Sequence, residues 1–205
     1  MIITEFNVCG QKVKISINGE FWAEIPYLIA FDFRLQKGVE VDDSLLLSVE
    51  QKVDEKTAFD YGIWYLSRYV ATTKKLRNKL YEKQFKKAVI DSVINRLTEL
   101  KYLDDYAFAE NLVAQKSSKF GKRRMQAELK NKGISNEIID DVLGVLDSND
   151  TFDAAMAVAQ KWYRSHELET MQDSQKFFRF MAYRGFDYDT INRCREVLKF
   201  EKDDW

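Results

Sequence analysis

Few residues in this 205-residue sequence have the type and spacing that covalent, metal or phosphate chemistry needs. The one histidine, His166, stands beside Glu167 in a polar stretch, without the positioned partners that a general base requires. Cys9 and Cys194 lie at opposite ends of the chain. They form neither a disulfide framework nor a paired spacing for zinc, and read as reduced thiols. Phe120-Gly121-Lys122-Arg123 has a single glycine and lacks the Walker A spacing of a phosphate cradle. Asp104-Asp105 resembles an acidic pair for metal or acid–base work, but reads better as a helix N-cap followed by a first-turn acid. Asp187-Tyr188-Asp189 opens the last helix in the same way. The expectation is a binding protein with no catalytic centre, no metal and no cofactor.

Those residues sit on a largely helical frame. Hydrophobic residues make up 45% of the chain, enough for a folded core, while one proline and eight glycines exclude collagen, Pro-rich linkers and loop-heavy β-architectures. Met1 to Ile25 lacks a basic segment leading into an apolar run. No stretch approaches the roughly 20 apolar residues of a spanning helix. A cytoplasmic monomer that does not engage a membrane is expected.

The first part differs in period from the rest. Ile2 to Val8 reads as a short strand, and Lys12 to Ile17 alternates polar and apolar as a half-buried strand does. Asn18-Gly19 supplies the two positive-φ positions of a type I′ turn before Glu20 to Ile25. Pro26 can open a short helix to about Phe33, and Asp42, Asp43 and Ser44 offer caps for a helix through Val49. A small α+β domain with a β-hairpin is placed over residues 1–55.

From Thr57 onward the pattern is helical and repeats. Leu80, Leu129 and Met181 correspond at offsets of 49 and 52 residues. The register carries Leu76, Met125 and Phe177 upstream, and downstream Ile90, Ile139 and Ile191, then Val93, Val142 and Cys194, then Leu97, Leu146 and Leu198. Each unit is predicted to hold three helices. The first buries Phe59, Ile63 and Leu66, or Phe108 and Leu112, or Ala155, Val158 and Trp162. The second buries an i, i+4 pair and stops at Gly133 or Gly185, with Gln84 in that place in the first unit. The fold class is mainly α. Three tandem three-helix repeats (56–100, 101–148, 149–205) are expected to form an elongated curved body behind the small N-terminal domain.

The near-zero net charge of −1 hides an uneven distribution. Residues 1–60 carry 6 basic and 11 acidic side chains, whereas residues 61–100 carry 9 basic and 3 acidic. The second helix of the first repeat is dense in Lys74, Lys75, Arg77, Lys79 and Lys83, and that of the second in Lys119, Lys122, Arg123, Arg124, Lys130 and Lys132. Lys122, Arg123 and Arg124 are placed on the exposed face opposite Met125 and Leu129. Such helices are either plain solvated surface or one basic stripe, which suits a phosphate backbone or an acidic protein groove.

Lys101 to Ala109, followed by Lys119-Phe120-Gly121-Lys122-Arg123-Arg124-Met125 and Glu128-Leu129-Lys130-Asn131-Lys132-Gly133-Ile134, closely resembles the central motif of the RecX regulatory proteins. Tyr65-Leu66-Ser67 to Leu80 looks like that family's first repeat, and the hairpin with Asn18-Gly19-Glu20-Phe21 is similar to the extension of longer members. The first repeat departs from the pattern. Arg68 is displaced by one from the usual Arg, where Tyr69 stands, and Lys75-Leu76 and Lys83-Gln84 replace Glu-Leu and Lys-Gly. The resemblance implies a modulator that binds RecA recombinase and its filament on single-stranded DNA, inhibiting ATP hydrolysis, strand exchange and coprotease function. It adds direct contact with single- or double-stranded DNA as a further capability of some members. The basic residues of the two second helices, with Arg68, are the expected contacts. The alternative is a stand-alone DNA-binding module of homeodomain-like three-helix units.

Overall fold

The computed structural model describes residues 1–166 and 170–203. Contacts divide the chain into two compact units, Met1–Tyr69 with Leu76–Leu103, and Val70–Lys75 with Asp104–Trp205.

In the first unit, β1 (Ile3–Cys9), β2 (Lys12–Ile17) and β3 (Glu20–Pro26) make an antiparallel sheet in sequence order. Asn18 and Gly19 have φ of 51° and 88°, the pair of positive values a type I′ turn requires. A second tight turn at Gly10, φ 63°, joins β1 to β2, so the single expected hairpin is a three-strand meander. Val13, Ile15 and Ile17 alternate onto the buried face of β2 and pack with Ile3, Ile25, Ile29 of α1 (Tyr27–Asp32), Leu35 and Val41. Pro26 stands at the entry to α1, where its fixed φ fits and its missing N–H costs nothing.

The expected boundary near residue 55 falls inside one continuous helix, α2 (Asp43–Leu66). The Asp42 carboxylate caps it by accepting from the Leu45 N–H at 2.8 Å. No breaker interrupts the run, and the Lys52–Glu55 and Lys56–Asp60 pairs bridge the middle turns. Its buried face is also turned by one residue from the expected one. Ala58, Gly62 and Tyr65 are buried, while Phe59, Ile63 and Leu66 are half-buried. Small residues decide this: a Cβ on Gly62 would lie 2.8 Å from Leu97 Cδ1, so the glycine sets how closely α4 (Lys87–Glu99) approaches.

The second helices of the repeats are α3 (Thr73–Glu82), α6 (Lys122–Lys132) and α9 (Met171–Tyr183). They end alike. Gln84, Gly133 and Gly185 all adopt left-handed φ, at 64°, 85° and 87°. In each case the next N–H reaches back five residues, from Phe85 to Leu80, Ile134 to Leu129 and Phe186 to Met181. This is the Schellman closure, and its apolar contact joins the pairs that the repeat register aligned. Gln84 adopts this conformation with a Cβ. Gln84→Gly is expected to raise stability by about 0.5–1 kcal/mol in chemical denaturation; an unchanged midpoint would show that the position carries no strain.

The second unit contains two separate cores. Ala109, Leu112, Val113, Met125, Leu129, Ile134, Ile139 and Val142 form the one shared by α5 (Asp105–Lys116), α6 and α7 (Asn136–Gly144). Leu146, expected at its i+7 position, lies beyond the end of α7 and is only half-buried. Ala155, Val158, Trp162, Phe177, Met181, Ile191, Cys194 and Leu198 form the other, within α8 (Ser148–Tyr163), α9 and α10 (Tyr188–Asp203). Of the aromatic run on α9, Phe177 is fully buried, Phe178 and Phe180 are half-buried, and Tyr183 stands 77% exposed.

Candidate partner-binding surface

The start of each basic second helix is seated on the end of the next repeat's second helix. At α6, Gly121 has no side chain to cap the helix. Its N–H donates to the Arg184 carbonyl at 2.9 Å, and the Arg123 N–H donates to the Gly185 carbonyl at 3.3 Å. One repeat earlier, the Thr72 hydroxyl donates to the Lys132 carbonyl at 2.8 Å and accepts from the Lys75 N–H. Thr72 and Gly121 are 49 residues apart and Lys132 and Arg184 are 52 apart, so the two junctions obey the offsets of the repeat itself. Free donors at a helix start meet free carbonyls at a helix end, and opposite ends of two macrodipoles come together.

Several candidate cations belong to these junctions. Lys122 is half-buried, its Nζ donating to the Leu146 carbonyl at 2.8 Å. The Arg124 guanidinium lies 4.4 Å from the Phe120 ring and 4.8 Å from that of Tyr183, and donates to the Tyr183 carbonyl. Lys74 Nζ reaches the Asn131 carbonyl at 3.4 Å, and its stem covers Gly133. The expected exposed trio at 122–124 is therefore corrected: only Arg123 faces solvent. The side chains of 122 and 124 return to the protein because carbonyls at the end of a helix attract cations.

The remaining candidate cations of the second unit are Lys75, Lys119, Arg123, Lys130 and Lys132. All five are exposed, and their side chains make no ion pair among the described residues. Lys130 and Lys132 occupy the last turn of α6, where positive charge suits the helix dipole. In the first unit the candidates are more committed. Arg77 pairs with Asp91, and the Arg77 and Lys87 hydrogen bonds hold the Asp91 carboxyl below its ordinary range. Lys79 pairs with Glu82 at 2.6 Å, which raises its pKa. Lys83 and Arg68 lie over the Tyr61 and Trp64 rings, at 5.5 and 4.6 Å.

The candidate acids Asp104 and Asp187 take the capping roles expected of them. Asp104 accepts from the Ala107 N–H at 2.9 Å and Asp187 from the Thr190 N–H at 2.8 Å, both as caps. Asp105, expected only as a first-turn acid, also accepts from the Thr73 N–H at 2.8 Å. Cys9 is exposed and free; Cys194 is buried and free, its thiol pushed up to about 11 by burial. Among the described residues no group of three or more His, Cys, Asp or Glu could hold a metal ion, and no helix is long and apolar enough to cross a membrane. Sequence patterns missed Trp64 and Trp162 as exposed or cavity-lining aromatics, and Thr72 as a junction residue. A lone indole or hydroxyl in a helical pattern carries no signal of what it touches.

Residues 104–143 match the model of the second three-helix domain of RecX, and residues 149–194 that of the third. A regulatory protein RecX of Bacillus velezensis is 30% identical over 191 residues, covering 90% of this chain and 70% of the relative. That of Clostridioides difficile is 29% identical over 198 residues, covering 95% and 93%. A crystal structure described as regulatory protein RecX superposes with a TM-score of 0.77 at 20% identity, over 95% of this chain and 98% of the other, and shares the fold. The similarity extends over nine-tenths of the chain, and the chain belongs to the RecX family of regulatory proteins.

Proposed function

We propose that this protein regulates RecA recombinase, binding its filament on single-stranded DNA in the cytoplasm and inhibiting ATP hydrolysis, strand exchange and coprotease function. The observation that carries this reading is similarity to proteins named RecX regulators along nearly the whole chain. The repeats 56–100, 101–148 and 149–205 provide the binding body, and the acidic N-terminal residues share a compact unit with the first repeat. The unpaired cations Lys75, Lys119, Arg123, Lys130 and Lys132 are the contacts best placed to meet a polyanionic nucleoprotein. With the cognate RecA and single-stranded DNA, substoichiometric protein is expected to lower the DNA-dependent ATPase and shorten filaments. Arg123→Glu combined with Lys75→Glu, each in the first turn of its helix where an acid suits the dipole, is expected to weaken that effect about tenfold with an unchanged melting temperature. An ATPase and filament length that do not respond to the unaltered protein would end this reading.

One observation favours a second reading, direct DNA binding. On α2, Trp64 is 46% exposed and carries the Arg68 guanidinium on its ring, with Tyr61 beside it at 5.6 Å. Interleaved aromatics and cations suit the stacked bases of a single strand. This reading requires binding without RecA and a steep loss of affinity with salt; a flat salt dependence would exclude it.

A further inference from the structure

A cavity of about 590 Å³ opens among α8, α9 and the loop before α6, bordering the Gly121 junction at Arg184. Its volume is that of an ordinary small-molecule site. Its floor is made of rings. The Trp162 indole lies parallel to the His166 imidazole, 4.4 Å apart and 8° from coplanar, and the Phe180 ring stands 6.2 Å from Trp162. Among the described residues that line it, the charged side chains are Lys119, Lys161 and Arg184, and none is a carboxylate. Lys119 and Lys161 are exposed and make no ion pair among the described residues. The Arg184 guanidinium lies over the Phe180 ring at 4.7 Å and donates from one nitrogen to the Lys119 carbonyl at 3.4 Å. Hydroxyls are present at Ser118 and Ser165.

We infer that this cavity binds a phosphorylated planar base, a nucleotide, with the base against the Trp162, His166 and Phe180 rings and the phosphate held by Lys119, Lys161 and Arg184. Two features select that ligand. Stacked and cation-bearing rings favour a flat aromatic group over an aliphatic one. Three cations among the described lining residues favour a group with more than one negative charge. The base and phosphate can come from a free nucleotide or from one unit of a single strand, and the site is independent of whether RecA is the regulated partner.

The test titrates the full chain with ATP, with a dT12 oligonucleotide and with inorganic phosphate, by calorimetry. Saturable ATP binding at one site, with phosphate alone at least tenfold weaker, supports a free nucleotide as the occupant. Binding of dT12 but not ATP supports a base of a strand. In either case Lys161→Glu and His166→Ala, each checked for an unchanged melting temperature, should weaken binding at least tenfold. Should either variant melt lower, Lys161→Gln and Lys119→Gln take its place with an expected threefold loss each. The inference is overturned if neither ATP nor dT12 binds, if binding is equal in the variants, or if only an acidic, aromatic peptide binds and is lost in them.

Discussion

Gly121→Ala is expected to destabilise the protein by about 3 kcal/mol, lowering its melting temperature by roughly 6–12 °C for a chain of this size. The added Cβ would lie 2.2 Å from the Gly185 carbonyl oxygen, 2.4 Å from its carbon and 2.5 Å from the Phe186 nitrogen. All three are backbone atoms, so no rotamer change makes room. The Gly121 and Arg123 hydrogen bonds to Arg184 and Gly185 must lengthen or break together. In a linear array the damage falls on one interface, so the melt should broaden or split as the third repeat loses its support from the second. Gly144→Ala is the matched control. A Cβ there meets nothing within 4 Å, and the change should move stability by no more than about 0.5 kcal/mol either way. Equal melting of the two variants would show that the close approach at Gly121 is not needed.

Phe177→Ala should cost about 3–5 kcal/mol, the range for removing a buried phenyl ring. Phe177 has no exposed surface and packs its ring 5.2 Å from that of Trp162. The core it belongs to includes none of the residues of the α5–α7 core. Limited proteolysis is therefore expected to cut within residues 149–194 first, leaving a fragment that contains the sheet and the earlier helices. Cleavage at the same rate on both sides of residue 147 would mean that the cores melt as one.

The repeat was readable because burial follows its register closely. Leu76, Leu80, Ile90, Val93 and Leu97 are buried, as are their partners around Met125 and Phe177, apart from Leu146. The hairpin was readable for an equally local reason, since only residues tolerant of positive φ fit its turn. The candidate surface was readable only in part. Lys122, Arg123 and Arg124 are adjacent in sequence, but their surroundings are set by Leu146 and by Tyr183 to Gly185, about 24 and about 60 residues away. No periodicity carries that information. The unbroken α2 was missed because caps at Asp42 to Ser44 and the onset of a new period at Thr57 suggest separate pieces. Helices end where a breaker or an alternative hydrogen bond ends them, and neither stands between Val49 and Gly62.

The two junctions differ from the start of α9 in one respect. There Thr170 and Asp173 form a capping box, the Thr170 side chain accepting from the Asp173 N–H while Asp173 accepts from the Thr170 N–H. Gly121 leaves its N–H to a neighbour's carbonyl and Thr72 accepts from its own helix while donating to a neighbour, whereas the start of α9 satisfies its own donors. The connections between repeats thus have a grammar of open and closed starts. An open start leaves its valence to the next unit and a closed one keeps it. Transplanting Thr170 to Asp173 onto the start of α6 would silence that joint without touching either core, yielding a chain whose repeats fold but no longer read one another.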